Sequence, residues 1–594
     1  MGTLLIAALA AAASQPSTYN FVIGRAEGTI YNPWTLSDDR VELRSFIGSG
    51  AKAGDFVAPT IRVVPGQRLN IELDNRLEPC TDKQRSEHLC FSDTNVHTHG
   101  LWVSPAGNSD NVLITIKPAE KFRYEYDIPP DHPAGTFWYH PHSHGAGYAQ
   151  VGSGMAGALI VSGNRIPTAT RPGDIDVLLK DERGRPFPER VMIFQQIAYG
   201  CLNEKGVIEG ERDKAGDPVR PFTCSPGEVG RIESFDNDWG WRRSGRFTGI
   251  NGKVEPQLAD AKAGAFERWR LINAGRGEPM RMRLYRLDPA APPLRTIRAE
   301  EQTEWRQRYC GGQPLPMWEI ALDGLTRSAI RRTDEAVLFA GERKDLLVRL
   351  PERGLYCIVN DTTREGVENN PSRMVGLVAA TGEGRSVANP EGLLQEALVR
   401  TAKSVLTEGQ SKEVRAKVIA DLKDGMKLSS FVWHKTIPEA EVSGYREALL
   451  DIVNGPEQGA FRVNGRNYDH NRIDAVLPLG KAEEWRAVAL VEEHPLHIHV
   501  NPFQIVSIED AAGHDLTDPK GPAFDPDYAG LKDEWKDTVF IKENVRLAFR
   551  TRYERFTGDF VIHCHIMFHG DHGMMQNLRI AADGEEGAVT HNAH

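Results

Sequence analysis

The sequence lacks the features that mark membrane-spanning and nucleic-acid-binding proteins. The apolar opening, Met1–Gln15, is shorter than the roughly 20 residues that a transmembrane helix needs. There is no run of basic residues and no basic stripe interleaved with aromatic residues, and 71 basic against 82 acidic residues give a formal charge of −11. We therefore expect no membrane span and no nucleic-acid partner.

A C-terminal segment, VIHCHIMFHGDHGMM, instead concentrates metal-binding side chains. Cys564 is followed by His569 and then by Met574, and His494 in EHPLHIHVNPFQIV can supply a second histidine. Two histidines, a cysteine thiolate and a weak axial methionine are the ligands of blue-copper sites. Met575 is an alternative axial ligand, but its spacing from Cys564 is less suitable than that of Met574.

Four H-x-H or H-C-H elements stand in the chain, two towards each end. Strand residues i and i+2 point to the same face, so each element can present two imidazoles to one metal-filled space. A lone H-x-H is more often a surface or zinc-binding accident, and structural zinc sites are closed tetrahedra of local ligands. Eight imidazoles from both ends of a chain suit a cluster of three metal ions. The elements are His97/His99, His140/His142, His497/His499 and His563/His565.

This pattern resembles the three-domain multicopper oxidases of the bacterial laccase-like family. The resemblance implies four copper ions per chain: a type 1 ion that takes single electrons from a reductant, and a type 2/type 3 trinuclear cluster that reduces dioxygen to water. The implied type 1 ligands are His494, Cys564, His569 and Met574. The implied type 2 ligands are His97 and His497, and the type 3 ligands are His99, His140, His142, His499, His563 and His565.

Two carboxylates are candidates for delivering protons to the cluster. Asp110 matches the family's acidic residue near type 2 copper, although an ordinary turn aspartate is an equally good interpretation. Gly570 stands where relatives often place a glutamate relay, and Asp571 is a possible substitute one residue later. His144 and His572 match no ligand position, so we interpret both as solvent-facing or supporting residues.

Cysteine usage indicates an exported protein. With Cys564 assigned to copper, six of the 7 cysteines remain. Six allow 15 pairings, so the sequence leaves the connectivity open. The alternative is that some of the six are reduced and buried, as a cytosolic chain would require. Residues 1–16 resemble a signal-peptide remnant, but no Lys or Arg precedes the apolar run. We expect a periplasmic or secreted protein. Nearest-neighbour pairing would join Cys80 with Cys90, Cys201 with Cys224, and Cys310 with Cys357.

The expected fold is all-β, with three consecutive cupredoxin-like Greek-key β-sandwich domains and a short helical linker between domains two and three. Alternating Ile61/Val63 and Leu69/Ile71/Leu73 around Pro65–Gly66 predict an opening hairpin. Val414, Val418 and Leu422 form the stripe of an amphipathic linker helix, which we expect on the sandwich surface rather than as a lid. The predicted divisions are 17–166, 171–381 (without copper ligands), linker 382–445, 446–582 and a polar tail 583–594.

The sequence is compatible with more than one class of reductant. The leading hypothesis is a laccase-like oxidase of phenols and aromatic amines, with electrons entering through exposed edges of His494 and His569. With 11 methionines and no methionine-rich insertion, a cuprous specialist is disfavoured. Glu492 and Glu493 keep open a metallo-oxidase of Fe(II), Mn(II) or Cu(I). A copper-free cupredoxin-fold scaffold protein is disfavoured, because such relatives lose copper ligands and this chain keeps all twelve. Oligomeric state is open, with a monomer favoured.

Overall fold

The computed structural model describes residues 15–86, 90–205, 207, 223–232, 247–361, 373–406, 411–453 and 460–584. The predicted signal-peptide remnant and polar tail lie almost entirely outside these residues. Within them the chain forms six sheets, arranged as three β-sandwiches in chain order, which confirms the predicted fold class. No helix in the described part of the chain is long and apolar enough to cross a membrane.

The first sandwich places a long hairpin-bearing sheet, β2-β1-β4-β6, against the sheet β3-β8-β7-β5. Its core contains the buried Leu69, Ile71 and Leu73 of the predicted alternation. Its strands are β1 (Ser17–Asn32), β2 (Ser37–Ile47), β3 (Ile61–Val63), β4 (Arg68–Asn75), β5 (His97–His99), β6 (Lys121–Asp127), β7 (Gly135–His140) and β8 (Gly157–Val161). Two short helices, α1 (Asp82–Ser86) and α2 (Gly147–Gly152), accompany them.

The predicted opening hairpin is wrong in its pairing, although both strands form. β3 pairs with β8, whereas β4 pairs with β1 and β6, so the two strands lie in opposite sheets. The Pro65–Gly66 turn carries the chain across the edge of the sandwich. The apolar sides of the two strands then meet face to face in one core, which satisfies the same alternation that suggested a hairpin.

The second sandwich pairs the sheet β12-β9-β14-β19-β16-β17 with the sheet β13-β21-β20-β15-β18. Its strands are β9 (Glu189–Ile197), β12 (Phe247–Ile250), β13 (Gln257–Lys262), β14 (Phe266–Asn273), β15 (Met280–Arg286), β16 (Met317–Leu322), β17 (Leu325–Thr333), β18 (Ala336–Leu338), β19 (Arg343–Arg349), β20 (Gly354–Asn360) and β21 (Arg373–Thr381), with helix α3 (Gln302–Tyr309). Strands β10 (Gly200–Leu202) and β11 (Val229–Arg231) come from the same stretch of sequence but extend the first sandwich through β2.

The linker contains two helices, α4 (Pro390–Val405) and α5 (Lys412–Lys423). Asn389 and Ser411 cap them by accepting the backbone N–H groups of Gly392 and Val414. Val414, Val418 and Leu422 are buried against a core cluster shared with Phe266 and other residues of the second sandwich. The helices therefore lie on the surface of that sandwich, as the amphipathic stripe predicted.

The third sandwich pairs the sheet β23-β22-β25-β30-β27-β28 with the sheet β24-β32-β31-β26-β29. Its strands are β22 (Val442–Val453), β23 (Ala460–Val463), β24 (Ala475–Pro478), β25 (Ala482–Ala489), β26 (His494–Ile498), β27 (Phe503–Glu509), β28 (Trp535–Lys536), β29 (Thr538–Ile541), β30 (Arg546–Arg552), β31 (Gly558–Cys564) and β32 (Met575–Ala581), with helix α6 (Met567–Asp571). Short 3₁₀ turns occupy Ile175–Val177, Leu294–Thr296, Ala299–Glu301, Ser429–Phe431, Glu439–Glu441 and Pro526–Tyr528.

Three disulfides link nearest-neighbour cysteines: Cys80 with Cys90, Cys201 with Cys224, and Cys310 with Cys357. The remaining cysteine, Cys564, is free and buried. The second bridge belongs to the edge of the first sandwich, since Cys201 packs with residues of β1 and β2. All six cysteines other than Cys564 are therefore paired in disulfides.

Candidate metal centres

Strands β26 and β31 place their histidines and cysteine on two opposite faces of one sheet. The two strands are antiparallel, with Leu496 opposite Cys564 and His497 opposite His563. Directly opposite residues share a face, and the faces alternate along each strand. Cys564 therefore points with Leu496 into the third sandwich, and His497 points with His563 towards the first sandwich.

The inward face holds a compact group of three ligand atoms. Cys564 Sγ lies 3.5 Å from His494 Nδ1 and 3.8 Å from His569 Nδ1, and the two nitrogens are 3.2 Å apart. Met574 is fully buried in the same core cluster as Cys564. Burial raises the pKa of the Cys564 thiol, so a metal ion would have to displace its proton.

The two histidines of this group are less exposed than expected. His494 has 0% of its surface exposed, and its Nε2 lies 2.9 Å from the carbonyl oxygen of Val491. His569 is 9% exposed and stacks on Phe461, with ring centroids 4.5 Å apart. The expectation of exposed imidazole edges at both residues is wrong, because the strand connections and Phe461 cover them.

The first sandwich presents a matching row of histidines. His97 lies opposite His140 and His99 opposite Trp138 in the β5–β7 pair, so these four side chains share one face. Tyr139, between them, points to the other side and packs in the core of the first sandwich. The histidine face of the first sandwich thus meets the outward face of β26 and β31.

The eight histidines of the H-x-H and H-C-H elements interleave across this interface. His97 stacks on His499 and His99 stacks on His497, with ring centroids 3.9 Å and 3.8 Å apart. In each of three groups the ring nitrogens lie within 4.8 Å of one another. The groups are His97, His99 and His497; His99, His140 and His565; and His142, His499 and His563.

Ring nitrogens on the far side are fixed by backbone oxygens. His140 Nδ1 lies 2.9 Å from the Pro141 carbonyl, His497 Nδ1 lies 2.8 Å from the Asp537 carbonyl, and His563 Nδ1 lies 2.9 Å from the Cys564 carbonyl. Such contacts select the tautomer whose Nε2 lone pair faces the interface. Among the described residues, Nε2 of His97, His140 and His497 is buried without a hydrogen-bond partner.

Burial keeps these imidazoles neutral. It lowers the pKa of His140 to about 3 and that of His563 to about 4. The same cause, joined by neighbouring histidines, lowers the pKa of the other members well below the usual value; they are His97, His99, His142, His497, His499 and His565. Buried neutral nitrogens without partners are costly and are the form that binds metal ions. The donor set therefore fits a cluster of copper ions.

Asp110 lies directly behind this cluster. Its carboxylate is 3.0 Å from His97 Nδ1 and accepts hydrogen bonds from the backbone N–H and the hydroxyl of Thr98. Burial raises the pKa of Asp110 to about 7. A carboxylate bonded to the outer nitrogen of a metal-binding histidine orients the ring, and a pKa near neutrality suits a group that exchanges protons.

Asp571 stands at the edge of the cluster in a different environment. Its two oxygens accept the backbone N–H groups of Gly145 and Tyr148, at 3.1 Å and 2.8 Å. It therefore ties helix α6 of the third sandwich to α2 of the first. Together with His142 it lines a cleft of about 450 Å³. Asp571 is thus close to the histidines but already engaged by backbone donors.

Comparison with known proteins identifies the family. Models described as multicopper oxidase match residues 50–165 and 441–584. The Staphylococcus aureus protein named multicopper oxidase mco is 20% identical over 562 residues, which cover 93% of this chain and 89% of that protein. The chain belongs to the multicopper oxidase family. It is accordingly a copper-dependent oxidoreductase that uses dioxygen as electron acceptor.

Solved structures of other multicopper oxidases have the same fold as this chain over nearly all of its residues. The Campylobacter jejuni protein, described as a metallo-oxidase, has a TM-score of 0.58 at 19% identity and covers 95% of this chain and 92% of its own. McoA from Aquifex aeolicus has a TM-score of 0.59 at 17% identity and covers 96% of this chain and 98% of its own. At these identities the likeness concerns the fold alone.

Sequence reasoning missed two residues that support the histidines of this oxidase. Asp537 lies 3.3 Å from His99 Nε2, and its backbone oxygen contacts His497. Arg343, from the middle sandwich, binds both oxygens of Asp537. The signal available in the sequence was that Asp537 directly precedes the apolar stretch Thr538–Ile541.

Proposed function

We propose that His494, Cys564, His569 and Met574 bind type 1 copper. Support comes from three ligand atoms within hydrogen-bonding range of one another in a dry core, with Met574 beside them. Two histidines, a thiolate and a long axial methionine favour copper over zinc. A site enclosed by a rigid sandwich can hold one geometry in both redox states, which suits electron transfer.

We assign the trinuclear cluster to the histidines between the first and third sandwiches, with four copper ions per chain in total. The three nitrogen groups and their unpartnered Nε2 atoms support this assignment. Both sandwiches must dock for the cluster to bind, so copper should strengthen that docking. Type 2 copper takes His97 and His497, and type 3 copper takes His99, His140, His142, His499, His563 and His565.

The observation that carries the proposal is the position of Cys564 between His563 and His565. Copper supplies one-electron oxidation at type 1 and four-electron reduction of dioxygen to water at the cluster. The chain's own contribution is a covalent connection: the cysteine faces inward and its two neighbours face the interface. Its buried, neutral imidazoles exclude water and competing protonation from both sites.

Asp110 is the proposed proton relay. Two observations support this proposal: the Asp110 carboxylate contacts His97, and burial raises the pKa of Asp110 to about 7, near the range suited to proton exchange. Asp571 is a second proposed relay, through the cleft that it lines with His142. Because backbone N–H groups donate to both of its oxygens, the charged carboxylate is favoured and Asp571 would take up a proton less readily.

We propose phenols and aromatic amines as the reductants, in a laccase-like reaction. Since His494 and His569 are covered, electrons must cross a short barrier at Val491 or Phe461. Phe461 is buried against His569, so its ring would lie between His569 and a reductant that docks on this side. The carboxylates of Glu492 and Glu493, directly before His494, favour neutral or cationic reductants over anionic ones.

A metal-ion reductant is the second candidate, and one observation favours it. Burial, followed by the charge of Glu492, raises the pKa of Glu493, and Glu278 of the middle sandwich also contributes. Glu492 and Glu493 immediately precede the His494 strand, and Glu278 acts on the pKa of Glu493 in the same direction as Glu492, whereas Lys542 opposes it. Oxygen ligands of this kind bind Fe(II) or Mn(II), and Cu(I) stays disfavoured without a methionine-rich segment.

Oxygen uptake by the copper-loaded protein tests these alternatives, with copper per chain determined on the same sample. A methoxyphenol, an aromatic amine, Fe(II), Mn(II) and Cu(I) are supplied in parallel. Faster uptake with the aromatic compounds supports the laccase-like reaction. Faster uptake with a metal ion supports the metallo-oxidase instead, provided that the rate falls in the Glu492→Gln/Glu493→Gln variant. The rate should not fall in the control Glu543→Gln, which changes an exposed glutamate. If none of these reductants supports oxygen uptake, both the laccase-like and the metallo-oxidase proposals are rejected.

We also propose a location outside the cytoplasm, either periplasmic or secreted. The three disulfides support it, because such bonds persist in oxidising compartments. Fractionation of the native host followed by detection of the protein tests this proposal. Recovery in the cytosol with reduced cysteines would contradict it.

A further inference from the structure

A cavity of about 310 Å³ lies where the first sandwich, the linker and the third sandwich meet. Its aromatic lining consists of Trp102, Trp433, His434 and Trp535. The His434 ring is 5.0 Å from Trp535 and 5.9 Å from Trp102 between centroids. Cavities of this size lined by aromatic side chains commonly bind small organic molecules.

The cavity also contains polar groups that the described protein leaves without partners. Asn501 lines it and is 2% exposed, yet neither its Nδ2 nor its Oδ1 has a hydrogen-bond partner among the described residues. The Nε1 of Trp102, 8% exposed, is likewise without one. Buried polar atoms in this condition are rare and costly. Together they offer two donor nitrogens and one acceptor oxygen, which match the acceptor and donor capacity of a ring hydroxyl.

The charged residues of the lining are unequally paired. Asp131 is held by Arg555, and Glu554 lies beside Arg552. Arg171 and Lys435, both exposed, form no ion pair within the part of the chain that the structure describes. The opening of the cavity therefore carries two cations whose charge is not balanced locally, which favours an anionic group on a ligand.

We propose that this cavity binds a hydroxylated aromatic carboxylate. The ring packs against the tryptophans, the hydroxyl bonds Asn501 and Trp102, and the carboxylate pairs with Arg171 and Lys435. None of the proposed copper ligands lines the cavity. The site is also electrostatically different from the surroundings of His494, where the Glu492 and Glu493 carboxylates disfavour an anion. It is a binding site separate from the oxidation of reductants.

Binding is measured by isothermal titration calorimetry with the copper-loaded full chain, reduced and kept under argon so that no turnover occurs. The probes are 4-hydroxybenzoate, benzoate and phenol. We expect one 4-hydroxybenzoate per chain, bound about tenfold more tightly than either benzoate or phenol, because each lacks one polar contact. Absence of binding, or equal affinities for all three, overturns the proposal.

Variants locate the site. Arg171→Glu/Lys435→Glu is expected to weaken 4-hydroxybenzoate about tenfold while phenol is unchanged, and Asn501→Leu is expected to remove the advantage over benzoate. Lys412→Glu/Lys423→Glu, at two exposed linker residues outside the cavity, is the matched charge control. If Asn501→Leu misfolds, the affinities of the charge variant and of Trp433→Leu for 4-hydroxybenzoate still test binding in this cavity, since both should be weaker than that of the wild type. A control that loses as much affinity as the charge variant contradicts binding in this cavity.

Discussion

Arg343 and Asp537, 194 residues apart in sequence, form a fully buried two-pronged ion pair, with N–O distances of 2.7 Å and 2.5 Å. Arg343 also donates to the carbonyl oxygen of Thr136, in the strand that ends at His140. Asp537 contacts His99 and His497. The middle sandwich, which supplies no histidine to the cluster, thereby touches both halves of it.

Replacing Arg343 by lysine should selectively weaken copper binding at the cluster. Lysine keeps the charge but cannot form the two-pronged contact, so we expect a loss of roughly 3 kcal/mol in stability and fewer than four coppers per chain with the blue colour retained. Copper analysis and electron paramagnetic resonance measure this. Arg270→Lys is the control, since Arg270 is equally buried and contacts Thr136 but no histidine. Equal copper loss in both variants would mean that only general stability was affected.

Cys564→Ser should remove the type 1 site and leave the fold intact. The hydroxyl nearly matches the thiol in size but is a poor copper ligand, so we expect loss of the blue absorption and of at least 10³-fold of the oxidation rate. The trinuclear ions should remain, giving about one copper fewer per chain. Blue colour or substantial turnover in the purified variant would contradict the ligand assignment.

Asp110→Asn should slow turnover at unchanged copper content. The amide keeps the shape and can still contact Thr98, but it cannot carry the proton, and such groups typically contribute about 10²–10⁴-fold. The rate is measured at saturating reductant and oxygen. An unchanged type 2 resonance spectrum shows that His97 keeps its orientation. If the rate also stays unchanged, Asp110 is not the relay.

Glu255, remote from the histidines, should make stability fall as pH rises. Burial raises the pKa of this carboxyl from 4.5 to about 7, so the folded chain holds the proton more tightly than the unfolded chain does. Stability contributed by the protonated form is fully present below pH 4.5 and is lost between pH 4.5 and about 7, by about 3 kcal/mol. Thermal unfolding of the wild type and Glu255→Gln across this range checks it, since the variant should lose this slope.

Local patterns predicted much of the fold and the candidate site. The alternation at Leu69, Ile71 and Leu73 marks a buried strand wherever that strand pairs, and the spacing of His563, Cys564 and His565 fixes their faces once a strand is assumed. Both depend only on the period of two along a strand. That is why the eight histidines form three groups and His494, Cys564 and His569 form a fourth, while the assignment of these groups to copper stays a prediction.

Relationships between distant segments were not predictable in the same way. The pairing of β3 and β4 with different sheets, the covering of His494 and the ion pair between Arg343 and Asp537 depend on tertiary packing, for which residue periodicity holds no information. The addition of β10 and β11 to the first sandwich is of the same kind. Burial of a charged side chain is visible only when its partner is in place.

The two faces of strand β31 also restrict how the length of this chain can change. Cys564 lies opposite Leu496 and shares its core-facing side of the sheet. His563 lies opposite His497 and shares its interface-facing side. One residue inserted within β31 would turn the cysteine towards the neighbouring sandwich and the histidines into the core. Insertions and deletions should therefore be confined to the connections outside this strand.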